Sequence, residues 1–205
     1  MTLAQVVFID GGMTFRNRED YLEFLRNREI SLEEEENWSN PNYLEDSLEA
    51  EIARVEMPCR DNAKYEEWRI TFERYLPKLS EDLILVGYSL GGTFLAKYLS
   101  ENRVEENILS TYLIAPPFDD DMPEEDLAGG FELGENLSML EKNTGKLELV
   151  FSENDDVVPI RHAEKFNQEL LEAVIEKFKD RNGHFQVEKF PELVEKINHD
   201  LKNQR

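Results

Sequence analysis

The sequence predicts an α/β fold: a mostly parallel central sheet with helices on both faces. Apolar runs bounded by turn signals recur along the chain, among them Val6–Ile9, Leu83–Val86 and Leu147–Phe151. Runs apolar throughout suit strands buried on both faces. Between them lie stretches with apolar residues three and four apart, the mark of helices with one buried side. The alternation runs through all 205 residues with no repeat or low-complexity linker, so one domain is expected over 1–205. A chain of this length buries roughly 70% of its unfolded surface and needs no disulfide or metal to hold it.

Val6–Ile9 is read as the first strand, ending at Asp10-Gly11-Gly12. Residues 20–28 read as a helix with Tyr21, Phe24 and Leu25 on one face, and the glutamates at 33–36 as a solvated run. Asn40-Pro41 fits an N-cap followed by proline, opening a short helix through Leu48. Ala53, Val55 and Met57 alternate with Arg54 and Glu56, a half-buried strand that Pro58 stops. Tyr65, Trp68, Phe72 and Leu76 share a helical face. Leu83–Val86 is the next strand, followed by Gly87-Tyr88-Ser89-Leu90-Gly91-Gly92 and a helix to about Leu99. Further strands are Thr111–Ala115, stopped by Pro116-Pro117, then Leu147–Phe151 and Ala173–Phe178. Helices are expected at 161–171 and 190–201.

Composition removes several functions. Lys and Arg number 23 against 45 Asp and Glu, a net charge of −22. Nucleic-acid binding needs clustered basic residues, and anionic membrane surfaces repel such a chain. No apolar run approaches the ~18 residues of a membrane span. The first ten residues lack a basic region and read as a strand, not a signal peptide. Cys59 is the only cysteine, which excludes an internal disulfide, and a reducing cytoplasm is the expected location. Cys59 itself, after a strand-ending proline, reads as a small buried filler.

Gly87-x-Ser89-x-Gly91 stands between an apolar strand and a helix, the context a nucleophile elbow requires. The glycines leave room for a sharp turn, and the helix start offers free N–H groups to a reacting carbonyl. A serine hydroxyl needs a positioned base. Of three histidines, His162 at a helix start reads as a surface or capping residue, and His199 as solvated. His184, in the loop Arg181-Asn182-Gly183-His184-Phe185 after the last strand, is the candidate base. The carboxylate comes from Asp155 or Asp156, after the Leu147–Phe151 strand, and spacing alone does not separate them. The order Ser, Asp, His is that of the α/β-hydrolases.

At these residues the chain resembles the small serine hydrolases related to retinoblastoma-binding protein nine and its bacterial relatives. Val6–Gly12, Gly87–Gly92, Asp155–Pro159 and Asn182–Phe185 carry the likeness. It implies a compact α/β-hydrolase fold without the leading antiparallel strands of larger relatives. It also implies a Ser89, Asp155, His184 triad, because the family's aspartate stands four residues before the proline. The backbone N–H groups of Leu90 and Gly12 are the implied oxyanion donors, with Met13 as a substitute for Gly12. Met13 and Tyr88 are the substrate-binding candidates. Many relatives carry His-Gly where this chain has Asp10-Gly11, which sets a negative charge beside a site for an oxyanion.

The expected reaction is hydrolysis of an ester, thioester or amide through an acyl-enzyme. It uses a small-molecule acyl substrate and neither cofactor nor metal, and nothing in the sequence indicates a protein partner. The stretches 15–49 and 118–140 are candidate covers for the site, through Phe15, Tyr21, Phe24, Trp38, Tyr43, Phe131 and Leu133, although core packing is expected for Tyr21 and Phe24. Asp119-Asp120-Asp121 reads as a solvated turn. The rival class is a non-catalytic binding protein on the same fold.

Overall fold

The structure, a computed structural model, describes residues 4–32 and 36–203. Six strands form one sheet: β1 (Gln5–Ile9), β2 (Ile52–Arg54), β3 (Asp82–Tyr88), β4 (Asn107–Ile114), β5 (Leu147–Ser152) and β6 (Val174–Phe178). Their order is β2-β1-β3-β4-β5-β6, and every pairing is parallel. All six carboxyl ends therefore lie along one edge, where loops meet ligands in open α/β sheets.

The helices are α1 (Arg18–Asn27), α2 (Pro41–Ser47), α3 (Tyr65–Tyr75), α4 (Leu90–Glu101), α5 (Ser138–Lys142), α6 (Arg161–Glu169) and α7 (Pro191–Lys202). The two-residue period of the strands sorts the core into two layers. Val7, Ile9, Leu83 and Leu85 face one way and pack on Trp68 and Phe72 of α3, Phe94 and Leu95 of α4, and Phe166 of α6. Val6, Phe8, Ile84 and Val86 face the other way, onto Leu44 of α2 and Leu193, Ile197 and Leu201 of α7. The doubly covered parallel sheet expected from the strand runs is the observed one.

Several local readings differ. α1 buries no residue, and Tyr21 and Phe24 instead stack on Phe15 at 5.3 Å in a half-buried cluster outside the core. Trp38 and Phe131, expected over the site, are fully buried core residues. Trp38 packs edge-on against Phe8, Tyr88 and Phe190, and its Nε1 donates to Phe185 O. β2 ends at Arg54, although Val55 and Met57 beyond it are buried as their alternation predicted. Cys59 is exposed, not a filler. Its left-handed backbone (φ 49°) turns the chain into a short 3-10 segment, Arg60–Asn62, that the sequence did not announce. Of the glutamate run, 33–35 lie outside the described residues, and Glu36 is exposed. His199 is exposed as expected.

Trp68 joins α3 to α4 through edge contacts with Phe94 and Phe131 and donates its Nε1–H to Pro58 O. Trp68→Ala is expected to cost about 3–5 kcal/mol of unfolding free energy, read from the urea midpoint. A loss below about 1 kcal/mol would mean that this layer is not packed as described.

Candidate active site

Ser89 stands between the end of β3 and the start of α4 with φ 52° and ψ −122°. A non-glycine residue at positive φ is strained, and such strain persists only where neighbours enforce it. Here the Ser89 N–H donates to Ile114 O of β4 at 2.8 Å, which pins the turn to the neighbouring strand. A Cβ on Gly91 would stand 2.3 Å from Ile9 O, and one on Gly87 would stand 2.7 Å from Gly91 O. Both motif glycines are thus demanded by backbone contact. The Leu90 N–H opens α4, where first-turn N–H groups have no intrahelical partner.

Asp155 follows β5, and its side chain is fully buried. Its Oδ1 accepts the N–H groups of Val157 and Val158 at 2.9 and 2.8 Å. That leaves Oδ2 for His184 Nδ1, at 2.8 Å. Asp156 lies elsewhere, with Oδ1 2.8 Å from where a Cβ on Gly183 would sit. Gly183 (φ 68°) has a backbone conformation that a residue with a side chain would adopt only under strain. Of the two aspartates that spacing left open, Asp155 is the one in contact with the His184 ring.

Tyr88 precedes the serine and stacks on the His184 ring, with centroids 5.3 Å apart and planes at 28°. Its hydroxyl donates to His184 O at 2.5 Å. Burial pushes the Tyr88 phenol well above its usual range, and the charges of Asp10, Asp155 and Glu125 add to the shift, so the hydroxyl stays a donor. Tyr88, a substrate-binding candidate, thus contacts both the ring and the backbone of His184. His184 Nε2 is buried and makes no hydrogen bond, and neither does Ser89 Oγ among the described residues. No hydrogen bond joins the two side chains.

The loop after β1 lies against the elbow. A Cβ on Gly11 would stand 3.2 Å from Ser89 Cβ and 3.7 Å from Oγ. The Gly12 N–H makes no hydrogen bond among the described residues. The Met13 N–H, expected as a substitute donor, is committed to Arg60 O at 2.8 Å. Asp10 accepts from the Gly11 N–H and pairs with Arg60.

The two candidate covers meet beside this loop. Arg16 pairs with Asp120 and Asp126, and just before it Thr14 and Asp126 form an antiparallel bridge, with Thr14 Oγ1 accepting from the Ala128 N–H at 2.8 Å. A cavity of about 270 Å³ there is lined by Met13, Phe15, Phe24 and Glu125 among others. Glu125 is half-buried. Burial raises its carboxyl above the ordinary value, with His184 pulling it down and Asp155 pushing it up. Nothing in the sequence singled out Glu125 or Arg60, since each is one charged loop residue among many.

His162, read as a surface residue, is completely buried. Its Nδ1 accepts the Phe118 N–H and its Nε2 lies against Asp121 O, both at 3.0 Å, so a neutral ring bridges the loop after β4. The aspartates of that loop are paired: Asp119 with Lys165, Asp120 with Arg16 and Asp121 with Arg161.

A serine at the apex of a strand–turn–helix, in a parallel sheet with helices on both sides, defines an α/β hydrolase. The chain belongs to the serine hydrolase family, whose model matches residues 33–202. That span holds Ser89, Asp155 and His184 but begins after the β1 loop. Among solved structures, the ydeN gene product of B. subtilis is similar at TM-score 0.72 and 17% identity, covering 98% of this chain and all of that one. The Pyrococcus furiosus esterase Pf2001 is similar at TM-score 0.59 and 16% identity, covering 98% of this chain and 81% of that one. Est1E from Butyrivibrio proteoclasticus is similar at 0.60 and 14%, covering 99% and 88%. At such identities the likeness is one of fold. No curated protein sequence matches the chain.

Burial depresses the His162 pKa below its ordinary 6.5, and the hydrogen bond to the Asp121 carbonyl offsets only part of that shift. The unfolded chain therefore takes up this proton first as pH falls. His162's contribution to stability is expected to be complete above pH 6.5 and to fade below it, toward the folded-state pKa. Urea midpoints for the wild type and His162→Gln across pH 5–8 check this: the wild type should lose more stability than the variant on acidification. Parallel curves would remove His162 as the cause.

Proposed function

We propose that this serine hydrolase cleaves carboxylic esters through an acyl-enzyme on Ser89, with His184 as general base and Asp155 as its orienting carboxylate. The observation that carries the reading is the buried 2.8 Å contact between Asp155 Oδ2 and His184 Nδ1, one strand-end loop away from the strained serine turn. With Nδ1 held as a donor, Nε2 is the free acceptor.

In this reading His184 Nε2 takes the Ser89 proton as Oγ bonds to the ester carbonyl carbon. The resulting oxyanion is held by the N–H groups of Leu90 and Gly12, and losing one such donor typically costs about 10²–10³ in rate. The imidazolium, stabilised by Asp155, then protonates the departing alcohol. Water deprotonated by His184 cleaves the acyl-enzyme by the same path. No cofactor enters. The stretches 15–49 and 118–140, joined by Arg16 to Asp120 and Asp126, form the cover within a single domain. Placement near the hydrolases related to retinoblastoma-binding protein nine rests on the motifs Asp155–Pro159 and Gly183-His184-Phe185.

A second reading, a binding protein on a hydrolase fold, is favoured by one observation: the unmade Ser89–His184 hydrogen bond. Labelling with a fluorophosphonate separates the two. The wild type is expected to label and Ser89→Ala not to, and a folded wild type that never labels overturns the catalytic reading. With p-nitrophenyl esters, Asp155→Asn is expected to lower kcat by about 10⁴, because the wrong imidazole tautomer is then held. Asp156→Asn, away from the ring, should leave kcat within about threefold, and equal losses in both would misassign the carboxylate.

A further inference from the structure

The loop after β1 carries a carboxylate where an oxyanion is to be held, and the structure shows what offsets it. Asp10 Oδ1 accepts the Gly11 N–H at 2.8 Å, and Asp10 Oδ2 accepts from Arg60 Nη2 at 2.7 Å. Arg60 Nε donates to Gly11 O, also at 2.8 Å. The backbone closes the same contact: the Met13 N–H donates to Arg60 O, and the Ala63 N–H donates to Met13 O, each at 2.8 Å. A Cβ on Gly12 would stand 2.8 Å from Arg60 O, so residues 10–13 lie directly against the segment at Arg60. The left-handed turn at Cys59 aims that segment back at the β1 loop. The Gly12 N–H, next to these contacts, makes no hydrogen bond among the described residues.

We propose that Arg60 is a positioning residue for the oxyanion loop, gripping the carboxylate of Asp10 and the carbonyl of Gly11 with one guanidinium. It does two things at once. It fixes the peptide planes on either side of Gly11, and so the direction of the Gly12 N–H. It also offsets the Asp10 charge, so the loop presents a net dipole and not an anion to the reacting carbonyl. Arginine suits the task because its planar fork spans two acceptors, whereas a lysine ammonium is a single point charge. Arg60 touches no reacting atom in this scheme. The proposal rests on the hydrolase reading of Ser89 and concerns how that site tolerates an acid at position 10.

The test uses the full chain with Arg60→Met, Arg60→Lys, Asp10→Asn and the Asp10→Asn/Arg60→Met double variant. Three readouts are needed: kcat and KM on p-nitrophenyl acetate, labelling rate with a fluorophosphonate, and amide hydrogen exchange over residues 10–14. Arg60→Met is expected to lower kcat about 10–100-fold with KM changed by less than about threefold, since the loop acts on the oxyanion and not on the ground state. Removing the unpaired charge in the double variant should recover at least about fivefold of that loss, which a merely structural role would not do. Arg60→Lys, keeping charge but not the fork, should fall between the wild type and Arg60→Met. Exchange over residues 10–14 should speed up in Arg60→Met.

Wild-type kcat in Arg60→Met, a double variant as slow as Arg60→Met, or unchanged exchange would each overturn the proposal. If Arg60→Met does not fold, Arg60→Lys against wild type decides it on kcat and exchange. If the wild type itself neither labels nor turns over, the hydrolase reading fails. The clamp is then judged on exchange alone.

Discussion

The elbow depends on backbones that meet more closely than any side chain would allow. Gly91, in the first turn of α4, comes so near the end of β1 that a Cβ would lie 2.3 Å from Ile9 O and 2.6 Å from Asp10 O. This contact presses the helix start onto the neighbouring strand and forces the turn at Ser89 into a conformation that costs of order 1–3 kcal/mol. It also decides where the β1 loop goes, because that loop leaves the sheet at the point Gly91 touches. The candidate nucleophile and the proposed oxyanion loop are therefore set by one close approach, in a sheet whose parallel order already places β1 beside β3.

The electrostatics around that turn are unusual for a site proposed to stabilise negative charge. Asp10, Glu125 and Asp155 all lie near Tyr88 in a chain of net charge −22. Each is handled differently. Asp155 is buried and saturated by two backbone N–H groups and the imidazole. Asp10 is held by the Gly11 N–H and Arg60. Glu125 has neither kind of partner among the described residues, and burial shifts it toward the neutral acid instead. Hydrogen bonding, ion pairing and a carboxyl pKa raised by burial are three responses to one problem, the crowding of carboxylates near the proposed oxyanion site.

A parallel sheet covered on both faces was legible because strand burial leaves a repeating mark: Val6–Ile9 and Leu83–Val86 are apolar throughout since both faces are covered. The elbow was legible for a steric reason, in that only glycine fits at residues 87 and 91. His162 was misread because helix-start position says nothing about depth, and its burial follows from two loop backbone groups far away in sequence. Tyr21 and Phe24 followed a helical period yet lie outside the core, since the period names a face without naming what covers it. Arg60 and Glu125 act through contacts about fifty residues away or through a cover segment, and no local pattern encodes such contacts.

The unmade bond between Ser89 and His184 bears on which class of protein this is. His184 Nε2 is buried with no hydrogen-bond partner. Leaving a buried polar atom unpaired costs about 1–3 kcal/mol, and replacing it with an apolar group of similar shape is often neutral or better. A scaffold that only bound a partner would have no reason to keep that imidazole, still less to hold its other nitrogen with a saturated aspartate and stack its ring on Tyr88. Those supports act together to fix ring plane, tautomer and direction. Fixing all three matters for a ring that must accept a proton at one atom and is needless for one that fills space. On this argument the supports around His184 favour the catalytic reading proposed above over the binding one.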